Sequence, residues 1–326
     1  MIKVEAPGLF TLVQDRGRPG YYALGFPPSG AMDLYAHDAA NILVGNDENA
    51  ATLEMTFLGG KFTFGQFSVV AVTGAVVDVK LDGQCVPGWM AQIVRKGQTL
   101  EIGPTRAGAR CYLSVRGGID VPVVMDSRST YVSSGLGGHR GRPVEAGDEL
   151  GIGEMVRWGN DPRGGLDVPE SLIPSYSHEY EIRVVPGLCD YRLTEKSVDA
   201  LYSTPYTVST EANRTGYRMS GETLDFMERT PPFGAGADPS NVVNLGYPVG
   251  SIQVPSGSEL IVLLRDAVTG GGYATVGTVI GVDLDVIAQM KAPERVLFQK
   301  ASVDDALAER QARTRKLQRL IERTWK

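Results

Sequence analysis

Forty glycines and 19 prolines are scattered along 326 residues, and short runs rich in Val, Ile, Thr, Phe and Tyr lie between them. Such punctuation stops long helices and favours many short strands joined by turns. Residues 61–65, 67–72, 76–81, 112–115 and 260–264 read as strands of this kind. An all-β chain built of barrels or sandwiches follows. Asp82-Gly83 supplies the positive φ that a tight hairpin needs.

Helical spacing is confined to a few places. Ser29 reads as the cap of a helix carrying Met32, Tyr35, Ala36, Ala39, Ala40 and Leu43, with Gly45-Asn46 as its stop. A second short helix follows Thr194, and a third covers residues 283–289. From Ser302, which forms a capping box with Asp305, the chain has no Gly or Pro to its end. Leu317, Leu320, Ile321 and Thr324 make an apolar stripe there, with Arg310, Arg313, Arg315, Lys316, Arg319 and Arg323 on other faces. This basic amphipathic helix is read as packing on its own body or on a partner protein, ahead of a membrane surface.

A turn-rich stretch over 158–180 divides the chain. The expected segments are a domain over 1–165, a second over 175–300 and a C-terminal helix over 301–326. Arg18-Pro19-Gly20-Tyr21 and Arg214-Thr215-Gly216-Tyr217 echo each other faintly, a hint of internal duplication.

The net charge of −6 argues against a nucleic-acid partner. Three cysteines, Cys85, Cys111 and Cys189, are too few and too dispersed for a disulfide framework or a zinc site, and no metal is expected. No window is apolar enough for a membrane helix, and residues 1–8 do not read as a signal peptide. A soluble, cytoplasmic protein is expected.

Four glycine-rich polar stretches are candidates for chemistry. The first, Thr11 to Tyr21, carries Gln14, Asp15, Arg16 and Arg18. Arginine forks grip carboxylates and phosphates, although Asp15 with an arginine can equally be a structural pair. The second runs through Arg116-Gly117-Gly118, Ser127-Arg128-Ser129-Thr130 and His139, where glycines could open backbone N–H groups to an anion; it lacks the Gly-Lys-Ser/Thr of a phosphate loop. The third is Asn213-Arg214-Thr215-Gly216-Tyr217-Arg218. The fourth joins Gln253 to Thr269-Gly270-Gly271-Gly272-Tyr273. There the Gln253 amide can pair with a substrate amide, and Thr269 offers a hydroxyl beside backbone donors that could hold an oxyanion. Glycines at a tight barrel corner are the plain alternative. Lys291, between Met290 and Ala292, sits in a poor biotinylation motif, so biotin is not expected on this chain.

Taken in order, Val13 to Arg18, Ser29-Gly30-Ala31-Met32-Asp33, Ala40 to Asn46, Leu53-Glu54, Arg116-Gly117-Gly118, Ser127 to Thr130, Asn213-Arg214, Ile252-Gln253-Val254-Pro255 and Thr269 to Tyr273 resemble the allophanate hydrolase subunit 2 family. That family includes the C-subunit of 5-oxoprolinase, KipA-like proteins and the carboxyltransferase part of urea carboxylase. The resemblance spans about residues 1–300. It implies two cyclophilin-like β-barrels followed by the C-terminal helix. It also implies a partner of the subunit 1 type, equivalent to the 5-oxoprolinase B-subunit, with an A-subunit-like protein as a further partner. It implies work on a small amide, with ATP consumed in the complex and biotin, if used, carried by a partner. Thr269 and Gln253 are the expected catalytic residues. Arg18, Arg218, Asp15, Asn213, Arg214, Arg116, Ser127, Arg128, Gly271, Gly272 and Tyr273 are the expected substrate contacts.

The chain departs from the family at Val268, Gly270 and Ala274, at Asn244-Leu245-Gly246, at Asp126 and at Leu188-Cys189. These changes imply a divergent paralogue with another small substrate or weakened activity. Three readings follow from the resemblance: a 5-oxoprolinase-like component opening a lactam, a carboxyltransferase component acting with carboxybiotin, and a KipA-like regulatory partner without catalysis.

Overall fold

The computed structural model describes residues 1–159 and 163–325. The chain divides into two compact units: Met1–Arg18 with Ser29–Tyr176 and Arg313–Lys326, and Pro19–Pro28 with Ser177–Ala312. Part of the expected boundary region, residues 160–162, lies outside the described residues. The C-terminal helix, expected as a segment of its own, is shared between the two units.

The first unit is a 10-stranded sheet. Its strands are β1 (Ile2–Ala6), β2 (Phe10–Gln14), β3 (Thr52–Thr56), β4 (Lys61–Phe64), β5 (Ser68–Leu81), β6 (Gln84–Val86), β7 (Ala91–Val94), β8 (Thr99–Val115), β9 (Ile119–Asp120) and β10 (Glu149–Ile152). Two expected short runs fuse in β5, which pairs with β8 through repeated register shifts between Gly74 and Val79. Bulges there bend and twist one long ribbon, doing the work that turns between short strands would do. Asp82 and Gly83, at φ 48° and 80°, close the β5–β6 hairpin as their sequence requires. Alternate residues of the sheet, including Phe62, Phe64, Val70, Leu100 and Leu113, meet in one buried cluster.

Helix α1 (Leu34–Val44) packs on this sheet and is buried along almost its whole length. Its cap is Asp33, whose carboxylate accepts from Ala36 N at 2.9 Å, and not Ser29. Ser29 sits at φ 50°, in a turn that brings Ala31 N to Asp15 O at 2.8 Å, so it cannot enter the helix. A second buried cluster joins α1 to Leu320 and Ile321, with Leu317 and Trp325 packed against it. The Trp325 indole donates to Ile42 O at 2.7 Å. The apolar stripe of the last helix is thus buried on the protein's own body.

The second unit is a closed barrel. Its strands are β11 (Glu179–Pro186), β12 (Tyr206–Ala212), β13 (Gly216–Ser220), β15 (Ser251–Gln253), β16 (Leu260–Leu263), β18 (Thr275–Val279) and β19 (Arg295–Lys300). Between them, β14 (Asn241–Gly246) and β17 (Gly270–Tyr273) form a separate two-stranded ribbon. Closure removes the exposed edges that an open sheet would carry. Helix α2 (Glu195–Ser203) starts as expected, Thr194 accepting from Ser197 N at 3.3 Å. Helix α3 (Asp283–Ile287) covers most of the third predicted helix. Helix α4 (Val303–Trp325) opens on the predicted box, in which Ser302 Oγ accepts from Asp305 N at 3.1 Å while Asp305 accepts from Ser302 N at 2.9 Å. Among the described residues no helix is long and apolar enough to cross a membrane.

Candidate functional site

The Asp15 loop is a closed polar knot. The buried Asp15 carboxylate accepts from Ser127 Oγ at 2.7 Å, Arg128 N at 2.6 Å, Gly17 N at 2.8 Å and Ser129 Oγ. Ser129 Oγ in turn accepts from Asp15 N at 3.1 Å. Serines and backbone N–H groups hold the Asp15 carboxylate where the structural alternative had an arginine. Gln14 Nε2 donates to Thr130 O at 3.0 Å. Arg18 is buried, and its Nη2 donates to Ser129 O at 2.5 Å. Asp126, one of the departures, sits at φ 58°, a conformation glycine adopts freely and Asp tolerates.

Arg116 spends its guanidinium on carbonyls: Nη1 on Val44 O at 3.0 Å and Trp158 O at 3.4 Å, Nη2 on Gly159 O at 2.6 Å. Val44 O is a terminal carbonyl of α1, so the cation also complements the helix dipole. The neighbouring Gly117 has φ 99°, and a Cβ there would lie 2.0 Å from Gly153 O. Its glycine is steric and opens no anion cradle. Arg128 Nη1 reaches Met155 Sδ at 3.3 Å. His139 Nε2 lies 3.3 Å from Asp148 Oδ1, beside the Arg142–Asp148 pair. The Arg142 hydrogen bond, helped by Glu145 N and the nearby His139, holds the Asp148 carboxyl well below the usual range.

In the second unit, Arg214 and Asp266 form a buried bidentate pair at 2.7 and 3.1 Å. Asn213 Oδ1 caps its own turn through Thr215 N at 2.8 Å. Arg218, on β13, pairs with Glu259 at 2.5 Å and Glu211 at 3.1 Å. Those partners, Glu259 first, raise its pKa further, and the Tyr273 side chain is also near enough to act on it.

The fourth stretch gathers around a residue the sequence did not single out. Tyr247 is buried, and its hydroxyl donates to Tyr273 O at 2.9 Å and accepts from Tyr273 N at 2.7 Å. The Gln253 side chain lies close enough to the same phenol to lower its pKa. Tyr247 N donates to Thr269 O at 2.9 Å, and Tyr22 OH donates to Tyr247 O at 2.8 Å. Burial first, and Cys189 among its neighbours, raise the Tyr247 pKa against the donors that lower it. Gln253, Thr269, Gly271, Gly272 and Tyr273 therefore lie together, with Arg218 alongside.

This arrangement leaves polar groups available. Thr269 is half-buried and its hydroxyl has no hydrogen-bond partner among the described residues. Gly270 and Gly272 are exposed, and Gly272 lies outside the β14–β17 pairs Asn241–Tyr273, Leu245–Gly271 and Gly246–Gly270. Val268 and Tyr273 are 56% and 43% exposed. A hydroxyl, an amide and strand N–H groups at one edge can hold a carbonyl oxygen. Two clefts of the molecule lie elsewhere, one along Glu179–Glu181 and Arg295–Leu297, the other beside Phe67, Arg116 and Ile152. The Tyr247 cluster differs from both in carrying its glycines on the two-stranded β14–β17 ribbon, beside the half-buried Thr269.

Tyr247 and Tyr22 were missed because neither stands in a motif of suggestive chemistry. The one local sign was Tyr247 lying six residues before Gln253, directly after the departure at Asn244-Leu245-Gly246.

Residues 24–300 match the family described as carboxyltransferase domain, subdomain A and B. The chain is 36% identical over 321 residues to the C-subunit of 5-oxoprolinase from Escherichia coli, covering 98% of this chain and 97% of that protein. It is 36% identical to a putative urea carboxylase of Emericella nidulans, covering 95% of this chain and 25% of the relative. The crystal structure of the K. lactis urea amidolyase superposes with a TM-score of 0.92 at 30% identity, covering 98% of this chain and 20% of that one. The chain thus spans about a quarter or less of these two urea enzymes.

Proposed function

The chain belongs to the carboxyltransferase-domain family, and on that premise we propose that it is the counterpart of the 5-oxoprolinase C-subunit in an ATP-dependent complex that opens a small lactam or amide, with 5-oxoproline to glutamate as the first reaction to test. One observation carries this reading: the match to the 5-oxoprolinase C-subunit runs the length of both chains. In the proposed reaction the ring C–N bond breaks, water supplies the new carboxylate oxygen and the amine proton, and ATP is hydrolysed.

In this reading the Thr269 hydroxyl, the Gln253 amide and the strand groups of Gly271 and Gly272 face the lactam carbonyl. Charge developing on that oxygen would meet donors already in place. Tyr273 and Arg218 flank the edge, Arg218 offering a cation whose charge Glu259 and Glu211 already temper. Asp15, Ser127, Arg128, Arg18, Arg116, Asn213 and Arg214 support the two folds and do not touch substrate. The glycine turn at Gly117 is filled by Gly153 O and the Asp15 loop by its own serines, so neither fits a triphosphate. ATP is accordingly assigned to the partners, one like the B-subunit and one like the A-subunit of 5-oxoprolinase. The exposed departures Val268 and Gly270 lie on the substrate edge, which favours a substrate somewhat different from 5-oxoproline.

A second reading, carboxyl transfer from a biotin carried by a partner, draws on the likeness to the K. lactis enzyme. A tagged pull-down from native lysate, with mass spectrometry and a streptavidin blot, separates the two. Partners of the two 5-oxoprolinase types without biotin support lactam opening. A biotinylated carboxylase in the eluate would replace it with carboxyl transfer.

A further inference from the structure

Five interactions converge on Tyr247. Its N–H and C=O are held by Thr269 O and the Tyr22 hydroxyl at 2.9 and 2.8 Å. Its phenol grips both backbone groups of Tyr273 and lies beside the Gln253 side chain, which lowers its pKa. Its ring lies against Gly271, where an added Cβ would come within 2.9 Å of it. The ring and Leu263 and Ala267 form a small buried cluster of their own. The ribbon that carries the glycines is only two strands wide and is not part of the closed barrel. A two-stranded glycine-rich ribbon is marginal by itself, since glycine costs the most backbone entropy to order.

The geometry points to Tyr247 as a positioning residue, which fixes the Gly270–Tyr273 edge and the Gln253 amide in the orientation a carbonyl-bearing ligand needs. The inference rests on the reading of that edge as the substrate site. A phenol is suited to the task because it can donate to Tyr273 O and still accept from Tyr273 N. Removing only the oxygen strips the ribbon of both anchors and takes a polar neighbour from Gln253, while the ring keeps its packing on Gly271. Tyr22, from the short segment between Arg18 and Ser29, latches the same residue from its backbone side. Gln253 and Tyr273 stay the groups that meet the ligand, and Tyr247 acts through them.

The test compares Tyr247→Phe with Tyr217→Phe in the full chain and in its complex. Tyr217 is a buried barrel tyrosine whose hydroxyl donates to Met290 O at 3.1 Å, away from the edge, and it controls for the loss of any buried phenol. Hydrogen–deuterium exchange of the Thr269–Ala274 segment should quicken about tenfold or more in Tyr247→Phe and stay at the wild-type rate in Tyr217→Phe. In the complex, kcat/KM for the turned-over amide should fall about tenfold or more in Tyr247→Phe alone, the loss appearing in kcat as the edge loses its alignment. Unchanged exchange at Thr269–Ala274, or faster exchange with unchanged kinetics, would overturn the role. If the wild-type complex turns over no amide, the proposed function fails, while the exchange result still decides whether Tyr247 sets the edge.

Discussion

Around Asp15 and around Tyr247 the protein places similar materials: glycines, hydroxyls, an amide and arginines nearby. At Asp15 the carboxylate is fully engaged, taking Ser127, Ser129, Arg128 N and Gly17 N. At Tyr247 the phenol is engaged by Tyr273, while the Thr269 hydroxyl has no hydrogen-bond partner among the described residues and Gly270 and Gly272 beside it are exposed. A buried polar group must find partners inside, and the Asp15 carboxylate finds them in Gly17 and residues 127–129. Composition alone therefore cannot separate a fastening from a site. What separates them is whether donors remain unpaired where solvent can reach.

The largest expected effect comes from breaking the fastening. Asp15→Ala strands two buried hydroxyls and two backbone N–H groups, and should cost about 3–5 kcal/mol in chemical denaturation. A loss below about 1 kcal/mol would mean that the knot is not structural. At the other region the cost should fall on chemistry. Thr269→Ala is predicted to lower kcat about 100-fold, about 2.7 kcal/mol, with the melting temperature nearly unmoved. Turnover like wild type would take Thr269 out of the site.

Smaller effects sharpen the contrast. Arg218→Ala should raise KM roughly tenfold at most, since Glu211 and Glu259 already occupy the guanidinium. A collapse of kcat with KM unchanged would instead give Arg218 a part in the transition state. The smallest effect concerns pH. Asp148 has a depressed folded pKa, chiefly through Arg142, so its contribution is present above the ordinary carboxylate value of about 4 and is lost as pH falls below it. Urea titrations between pH 6 and pH 3 (roughly spanning that value) should show wild type losing about 1 kcal/mol more than Asp148→Asn. Parallel losses would show that the pair contributes nothing.

Features set by neighbours in sequence were legible from sequence. Thr194 caps α2, Ser302 and Asp305 make their box, and Asp82-Gly83 turns its hairpin, because each partner lies within three residues. Ser29 failed as a cap because a tertiary turn beside Asp15 sets its φ, and Asp33, also a good cap residue, stands nearer the helix. The length of β5 and β8 was hidden since bulges let strands continue through glycine. At the site, the sequence brought Gln253 and Thr269–Tyr273 into one candidate stretch. It could not show that Tyr247 joins them, because hydrogen bonds across 26 residues leave no local pattern. The arginines show the same limit: Arg116 and Arg214 carry the charge of a ligand grip, and the sequence could not show that carbonyls and Asp266 inside the fold partner them.

Substrate is proposed to meet the Thr269–Tyr273 edge and not the Asp15 loop. ATP-dependent glutamate release from 5-oxoproline by the reconstituted complex, with wild type, Thr269→Ala and Ser127→Ala in parallel, decides between the two. Expected are release by wild type, a loss of about 100-fold for Thr269→Ala, and a Ser127→Ala enzyme that is less stable but keeps its turnover at low temperature. Turnover lost in Ser127→Ala and kept in Thr269→Ala would contradict that proposal.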